Sequence, residues 1–165
     1  MKFFSLVVLL VSSLIASNAY VGIDAGSTRI SIDQGSTHLK TTNSGSQTAK
    51  VGYYLNENNR IAIFYQHINI SDGNGNSYGA NYDYLFLINE KIKLFIGASA
   101  GYTKLSDGVE GLIYGGESGL TYEINENFSL EAGYRVYKTN VEYSHTNIKI
   151  DNMQNWFAGI NYKFN

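Results

Sequence analysis

Apolar and polar side chains alternate with a period of two along most of this chain. That is the mark of strands with two unlike faces. Between Phe128 and Tyr137, one face carries Phe128, Leu130, Ala132, Tyr134 and Val136. The other carries Ser129, Glu131, Gly133, Arg135 and Tyr137. The segments 92–103 and 112–123 repeat the pattern, and the chain closes with Trp156, Ala158, Ile160, Tyr162 and Phe164 opposite Asn155, Phe157, Gly159, Asn161 and Lys163. Weaker alternation runs through 20–30, 49–55, 60–69 and 79–88. The pattern predicts eight strands and no helix. A length of 165 residues allows one domain. The absence of Pro suits a chain that is mostly sheet ladder, and the absence of Cys excludes disulfides, thiolate metal sites and a Cys nucleophile.

The N-terminus reads differently. Met1-Lys2 is followed by an apolar stretch from Phe3 to Ala16, and Ser17-Asn18-Ala19 places small residues at the −3 and −1 positions of a cleavage site. This is the layout of a secretory signal peptide. We expect a signal peptide over 1–19 and a mature domain over 20–165. The apolar stretch is shorter than the roughly 20 residues a spanning helix needs, and no later run is long enough.

Connections between strands alternate in length. Three are short and share an Asn-Glu core: Leu55-Asn56-Glu57-Asn58, Ile88-Asn89-Glu90-Lys91 and Ile124-Asn125-Glu126-Asn127. Asn suits tight hairpins because it tolerates left-handed backbone. The others are polar and longer, over 33–47, 70–77, 104–110 and 138–152, with Asp72-Gly73-Asn74-Gly75-Asn76 reading as a flexible loop. In an up-and-down barrel, this alternation sends all short turns to one end and all long loops to the other.

Two eight-stranded barrels fit: a soluble one with its apolar face inside, and an outer-membrane one with that face toward lipid. The polar face decides. It carries Gly22, Gly26, Gly52, Gly97, Gly101, Gly115, Gly119, Gly133 and Gly159, which would weaken an exposed face but suit a narrow lumen. The same face carries Lys50, Arg60, Lys93, Arg135 and Lys163 against Asp24, Asp83, Glu117, Glu123 and Glu131. A balanced set of this kind suits an enclosed ion-pair network. On the apolar face, Tyr114 lies eight residues from Tyr122, and Trp156 eight from Phe164, a climb of roughly 19 Å along tilted strands. With Tyr162, these match aromatic girdles at the two edges of an apolar band. Arg29 breaks the pattern by falling on the apolar face. A mean hydropathy of −0.18, which by itself resembles a soluble protein, averages these two opposed faces.

The segments 115–123 (GGESGLTYE) and 124–135 (INENFSLEAGYR) resemble the outer-membrane β-barrel domain family, which includes opacity-protein-like surface antigens and the small barrel of outer-membrane protein A. Gly159-Ile160-Asn161-Tyr162-Lys163-Phe164 looks like the final strand of that family. The resemblance implies an all-β, eight-stranded, antiparallel up-and-down transmembrane barrel in the outer membrane of a Gram-negative cell, inserted by the barrel assembly machinery. A terminal aromatic is the family's assembly signal; here Asn165 follows Phe164. The family's patterns specify fold far better than role.

Chemistry is sparse. His38 falls in the first long loop and His67 near the top of the third strand. Ser144 and His145 share the last loop with Glu142 and Asp151, but neighbours on a strand point to opposite faces, so Ser144 and His145 do not form a nucleophile–base pair. Asn147 stands where lipid A deacylases carry the Ser of His-x-Ser. Asp72, Asn74 and Asn76 have calcium-loop spacing, but Asp83 replaces the required Glu. These residues predict no catalytic, cofactor or metal site. A net charge of −2 argues against a nucleic-acid partner. The expected partners are outer-membrane lipids, the assembly machinery and an extracellular ligand of the long loops, with the barrel a monomer. The expected role is structural or surface-interacting, with a lumen plugged by paired charges. The alternatives are a small porin and, further off, a secreted lipocalin-like binder.

Overall fold

The computed structural model describes residues 18–34, 37–70, 73–106, 110–139 and 148–164. The strands are β1 (Ala19–Gln34), β2 (Thr37–Asn56), β3 (Asn59–Ile70), β4 (Gly73–Leu87), β5 (Ile92–Leu105), β6 (Glu110–Glu123), β7 (Phe128–Thr139) and β8 (Ile148–Lys163). Each pairs antiparallel with its sequence neighbours, and β1 pairs with β8, so the sheet closes in the order β1 to β8. The expected eight-stranded up-and-down barrel is therefore the fold.

The register sets its dimensions. The hydrogen-bonded row from Tyr20 passes through Gly52, Ala62, Asn81, Ser99, Gly115, Tyr137 and Met153. It returns to β1 at Ile30, ten residues above its start. Eight strands with a stagger of ten tilt by about 41° and place the backbone about 8 Å from the axis. Every residue in that row faces inward, because a closed sheet with period-two side chains demands an even stagger.

The short turns sit together at one end, at 57–58, 88–91 and 124–127. Their Asn residues act through side chains. Asn56 Oδ1 accepts from the Asn58 amide at 2.9 Å. Asn89 Oδ1 accepts from Lys91 and Ile92, both at 2.9 Å. Asn125 Oδ1 accepts from Asn127 at 3.0 Å and Phe128 at 2.8 Å. Left-handed backbone is not the reason for these residues: among the described residues, the one non-glycine with positive φ is Asn18. The recurring Asn is a side-chain cap on the turn.

The long connections are shorter than their composition predicts. β1 and β2 continue as a ladder to Gln34 and Thr37. Gly73 to Asn76, expected in a flexible loop, belong to β4 and pair with Ile70 to His67. Gly and Asn disfavour strands locally, but each added rung supplies hydrogen bonds to a partner already held in register, and that outweighs the preference.

Replacing Asn125 with Ala is expected to lower unfolding free energy by about 1 kcal/mol, since two turn amides lose their acceptor. Urea unfolding in detergent, followed through Trp156 fluorescence, reads the change.

Candidate functional site

The interior begins with β7. Its period-two pattern aims Glu131 and Arg135 at the axis, two pleat repeats apart with Gly133 between them, and each becomes a hub. Glu131 accepts from Lys50 Nζ at 2.5 Å and from Arg60 Nη1 at 2.7 Å. Asn161 Nδ2 adds a third bond to it at 3.1 Å, and Thr121 Oγ1 a longer one at 3.5 Å. Arg135 donates through Nε to Glu117 at 2.7 Å and through Nη2 to Asp24 at 2.9 Å. Its Nη1 also reaches Thr48. The hubs are linked: Arg60 Nε donates to Asp83 at 2.7 Å, and Asn81 Nδ2 donates to both Asp83 and Glu117, at 3.1 and 2.7 Å. Seven charged side chains thus form one connected network, none more than 6% exposed. Burying charge is tolerated only with this degree of pairing.

Aromatic rings complete the centre. The Arg135 guanidinium lies 3.6 Å from the Phe157 ring centroid, and that of Arg60 lies 5.0 Å from Phe95. The rings lie against glycine on the neighbouring strand. A Cβ on Gly119 would come within 2.6 Å of Phe95, and one on Gly133 within 2.8 Å of Phe157. Gly97 plays the same part for a carboxylate, since a Cβ there would meet Asp83 at once. These three glycines leave the space that large inward groups fill.

All ten charged residues singled out in the sequence face inward, and their grouping is uneven. Lys93 pairs with Glu123 at 2.5 Å, partly exposed and apart from the central network. Lys163 lies over the Tyr54 ring at 5.4 Å and has no carboxylate partner among the described residues. Sequence reasoning missed the apolar groups that share the lumen. Toward the end away from the short turns, Ile30, Phe64, Ile68, Leu105, Ile113, Tyr137 and Met153 form a buried cluster. Toward the turns, Leu85, Phe95 and Phe157 pack with Tyr54. The signal was available: Phe64 and Ile68 share the face of Arg60 by simple parity. Ser144, His145 and Glu142 lie outside the described residues. His67 faces outward, with Nδ1 2.8 Å from Asn76 Oδ1.

The outer face is the inverse of the lumen. Trp156, Ile23, Leu112 and Ile63 are 67, 64, 61 and 58% exposed. Two belts of aromatics flank the band. One includes Tyr122, Phe128, Tyr162 and Phe164 near the short turns, with ring contacts of 5.0 Å between Phe128 and Tyr162 and 4.9 Å between Tyr162 and Phe164. The other includes Tyr114, Tyr134 and Trp156, the last two with centroids 4.5 Å apart. Eight residues separate Tyr114 from Tyr122 and Trp156 from Phe164, about 20 Å of height at the observed tilt. Such a belt in water would be a large exposed apolar surface; in lipid it is the expected solvent-facing side. A lipocalin-like arrangement does not fit, because paired charges occupy the centre of the lumen and a broad apolar band covers the outside.

No protein-family model and no curated protein matches the chain. Solved structures do. Neisserial surface protein A, 22% identical, superposes with a TM-score of 0.75 over 88% of this chain and 97% of that one. Outer membrane protein H of P. aeruginosa, 24% identical, gives 0.63 over 90% and 100%. The attachment invasion locus protein of Yersinia pestis, solved with the heparin analogue sucrose octasulfate, is 21% identical and gives 0.51 over 89% and 99%. This is the fold of the small outer-membrane β-barrels. With the apolar outer face, it places the chain in the outer membrane.

Replacing Glu131 with Ala leaves Lys50 and Arg60 buried without their shared partner and is expected to cost about 3 to 5 kcal/mol. Arg135→Ala, which strands Asp24 and Glu117, is expected to act in the same direction. Lys93→Ala, at the partly exposed pair, is expected to cost under about 1 kcal/mol. Thermal and urea unfolding in detergent rank the three.

Proposed function

We propose that this protein is a non-enzymatic, monomeric outer-membrane barrel with a closed lumen, serving a structural or surface-interaction role. The observation that carries the reading is the central network of Lys50, Arg60 and Arg135 with Asp24, Asp83, Glu117 and Glu131, all buried and all within ion-pair or hydrogen-bond distance of one another in a chain. An ion crossing the lumen would have to break those pairs, and apolar side chains lie on both sides of them. Eight strands leave room for side chains and little else.

A surface role follows from the asymmetry of the two ends. Periplasmic turns are tight and self-capped, while the opposite end carries long polar hairpins with room to vary. A barrel of this fold, the attachment invasion locus protein, was solved in complex with a heparin analogue, which supports a ligand-binding role for a chain of this fold. In this reading the chain reaches the membrane as the mature domain 20–165, after removal of residues 1–19 and insertion by the barrel assembly machinery. Sequencing of the N-terminus of protein purified from membranes is expected to begin at Tyr20.

Planar-bilayer recording tests the closed lumen. Refolded protein is expected to show no stable single-channel steps. Steps in the range of open porins would sink the proposal in favour of a small channel. A charge-deleted variant such as Arg135→Ala is expected to raise leak before the wild type does.

A further inference from the structure

Every ladder in the barrel but one joins strands that follow one another in the chain. The exception is β1 with β8, so closing it carries the largest loop entropy in the fold. Its inward face is also poorly furnished. The middle inward rungs are Gly22 opposite Asn161, Asp24 opposite Gly159, and Gly26 opposite Phe157. Each has a glycine on one side, and glycine inside a strand weakens it. Among the described residues, no ion pair forms directly across this ladder. Other ladders have one: Arg60 faces Asp83 between β3 and β4, and Arg135 faces Glu117 between β6 and β7. The β1–β8 seam also carries a register shift between Ser31 and Ile32.

The inward groups that hold this seam come from further off. Arg135 on β7 passes over β8 and donates to Asp24 on β1, through Nη1 at 3.2 Å and Nη2 at 2.9 Å. Lys50 on β2 passes over β1 and β8 to meet Glu131 on β7 at 2.5 Å. Asn155 on β8 donates to Thr28 across the seam at 2.9 Å, and the same amide reaches Ser46 on β2 at 2.7 Å. From the short turns upward, Lys50–Glu131, Asp24–Arg135 and Asn155–Ser46 thus bridge the seam at successive levels. All six side chains are buried. Away from the seam, Asn81 passes over β5 to Glu117, and Arg60 meets Glu131 across the full lumen. Contacts that skip a strand therefore concentrate over the ladder that is hardest to close and barest inside.

We propose that these three contacts form an internal latch over the β1–β8 seam, and that local opening of the barrel begins at this seam with a frequency the latch sets. A bond between neighbouring strands is lost when those two strands part, and it restrains no other ladder. A bond that skips β8 or β1 must break before the seam strands can separate from the wall on either side. The charged members are shielded from water, so parting them leaves buried charge short of a partner. Local opening draws on the least stable part of a fold, and here that part is one ladder with its restraint supplied from two strands away.

Residue-resolved hydrogen–deuterium exchange of the folded barrel in detergent micelles tests the latch. Asp24→Asn combined with Lys50→Met breaks two crossings but leaves Arg135 with Glu117 and Glu131 with Arg60. Exchange is expected to speed by about tenfold or more at ladder amides of β1 and β8, and by far less in β4 and β5. Asn155→Ala removes a crossing without stranding a charge. It is expected to show the same bias, and it decides the matter should the charged variant not fold. Asp83→Asn, at an ion pair between neighbouring strands, is expected to show no bias toward the seam. The chain has no cysteine, so an added pair can form one disulfide only. Ala25→Cys with Ala158→Cys, directly opposed across the seam on the outer face, is expected to return the double variant to the wild-type exchange pattern. Ala80→Cys with Ala100→Cys, opposed between β4 and β5, is expected not to. Uniform acceleration around the barrel, an unaffected seam, or equal rescue by the two disulfides would overturn the latch.

Discussion

The stagger of ten residues around eight strands sets a backbone radius of about 8 Å, and the rest of the molecule answers to that dimension. Inward side chains from facing walls must interdigitate or be absent. Both solutions occur side by side. Phe95 and Phe157 reach across to neighbouring strands, and Gly119 and Gly133 yield the space beneath them. Asp83 lies over Gly97 in one row with Glu117, and both carboxylates accept from Asn81. A side chain added at any of these glycines would collide with a group that is itself held by two or more partners.

Within that narrow space the polar groups are the centre and the apolar groups the ends. This order matters energetically. Charges shielded from water on both sides interact more strongly, and each is correspondingly costly to leave unpaired. Glu131 and Arg135 each answer at least two opposite charges, so the network tolerates little piecemeal change. The outer face obeys the same physics with the solvents exchanged: large apolar side chains meet lipid, and polar groups retreat to the upper rim, where Tyr134 donates to Gln154 and Tyr65 to Asn76, both at 2.7 Å.

Much of this was legible from alternation alone. Parity placed Asp24, Lys50, Arg60, Asp83, Glu117, Glu131 and Arg135 on one face, and Tyr114, Tyr122, Trp156 and Phe164 on the other. Two readings needed revision. Asn56, Asn89 and Asn125 shape their turns by accepting backbone hydrogen bonds, which composition does not distinguish from left-handed backbone. Gly73 to Asn76 looked like a loop because propensity is local, whereas the ladder with β3 is not. Parity gave Ile68 and Met153 their inward face but not their contact, since the cluster draws on six strands that only closure of the barrel brings together.

Which face each residue occupies was a property of the sequence, because a strand's side chains alternate whatever it pairs with. The turn ends and the eight-strand count follow from the same periodicity, and the inverted polarity from the glycines and balanced charges on the polar face. Who meets whom across the lumen was not. Lys50 and Glu131 are 81 residues apart in the chain, and Arg135 and Asp24 are 111 apart. No local pattern ties them together. Closure of β1 on β8 and the value of the stagger decide which inward residues share a height, and only then does a balanced list of ten charges become specific pairs.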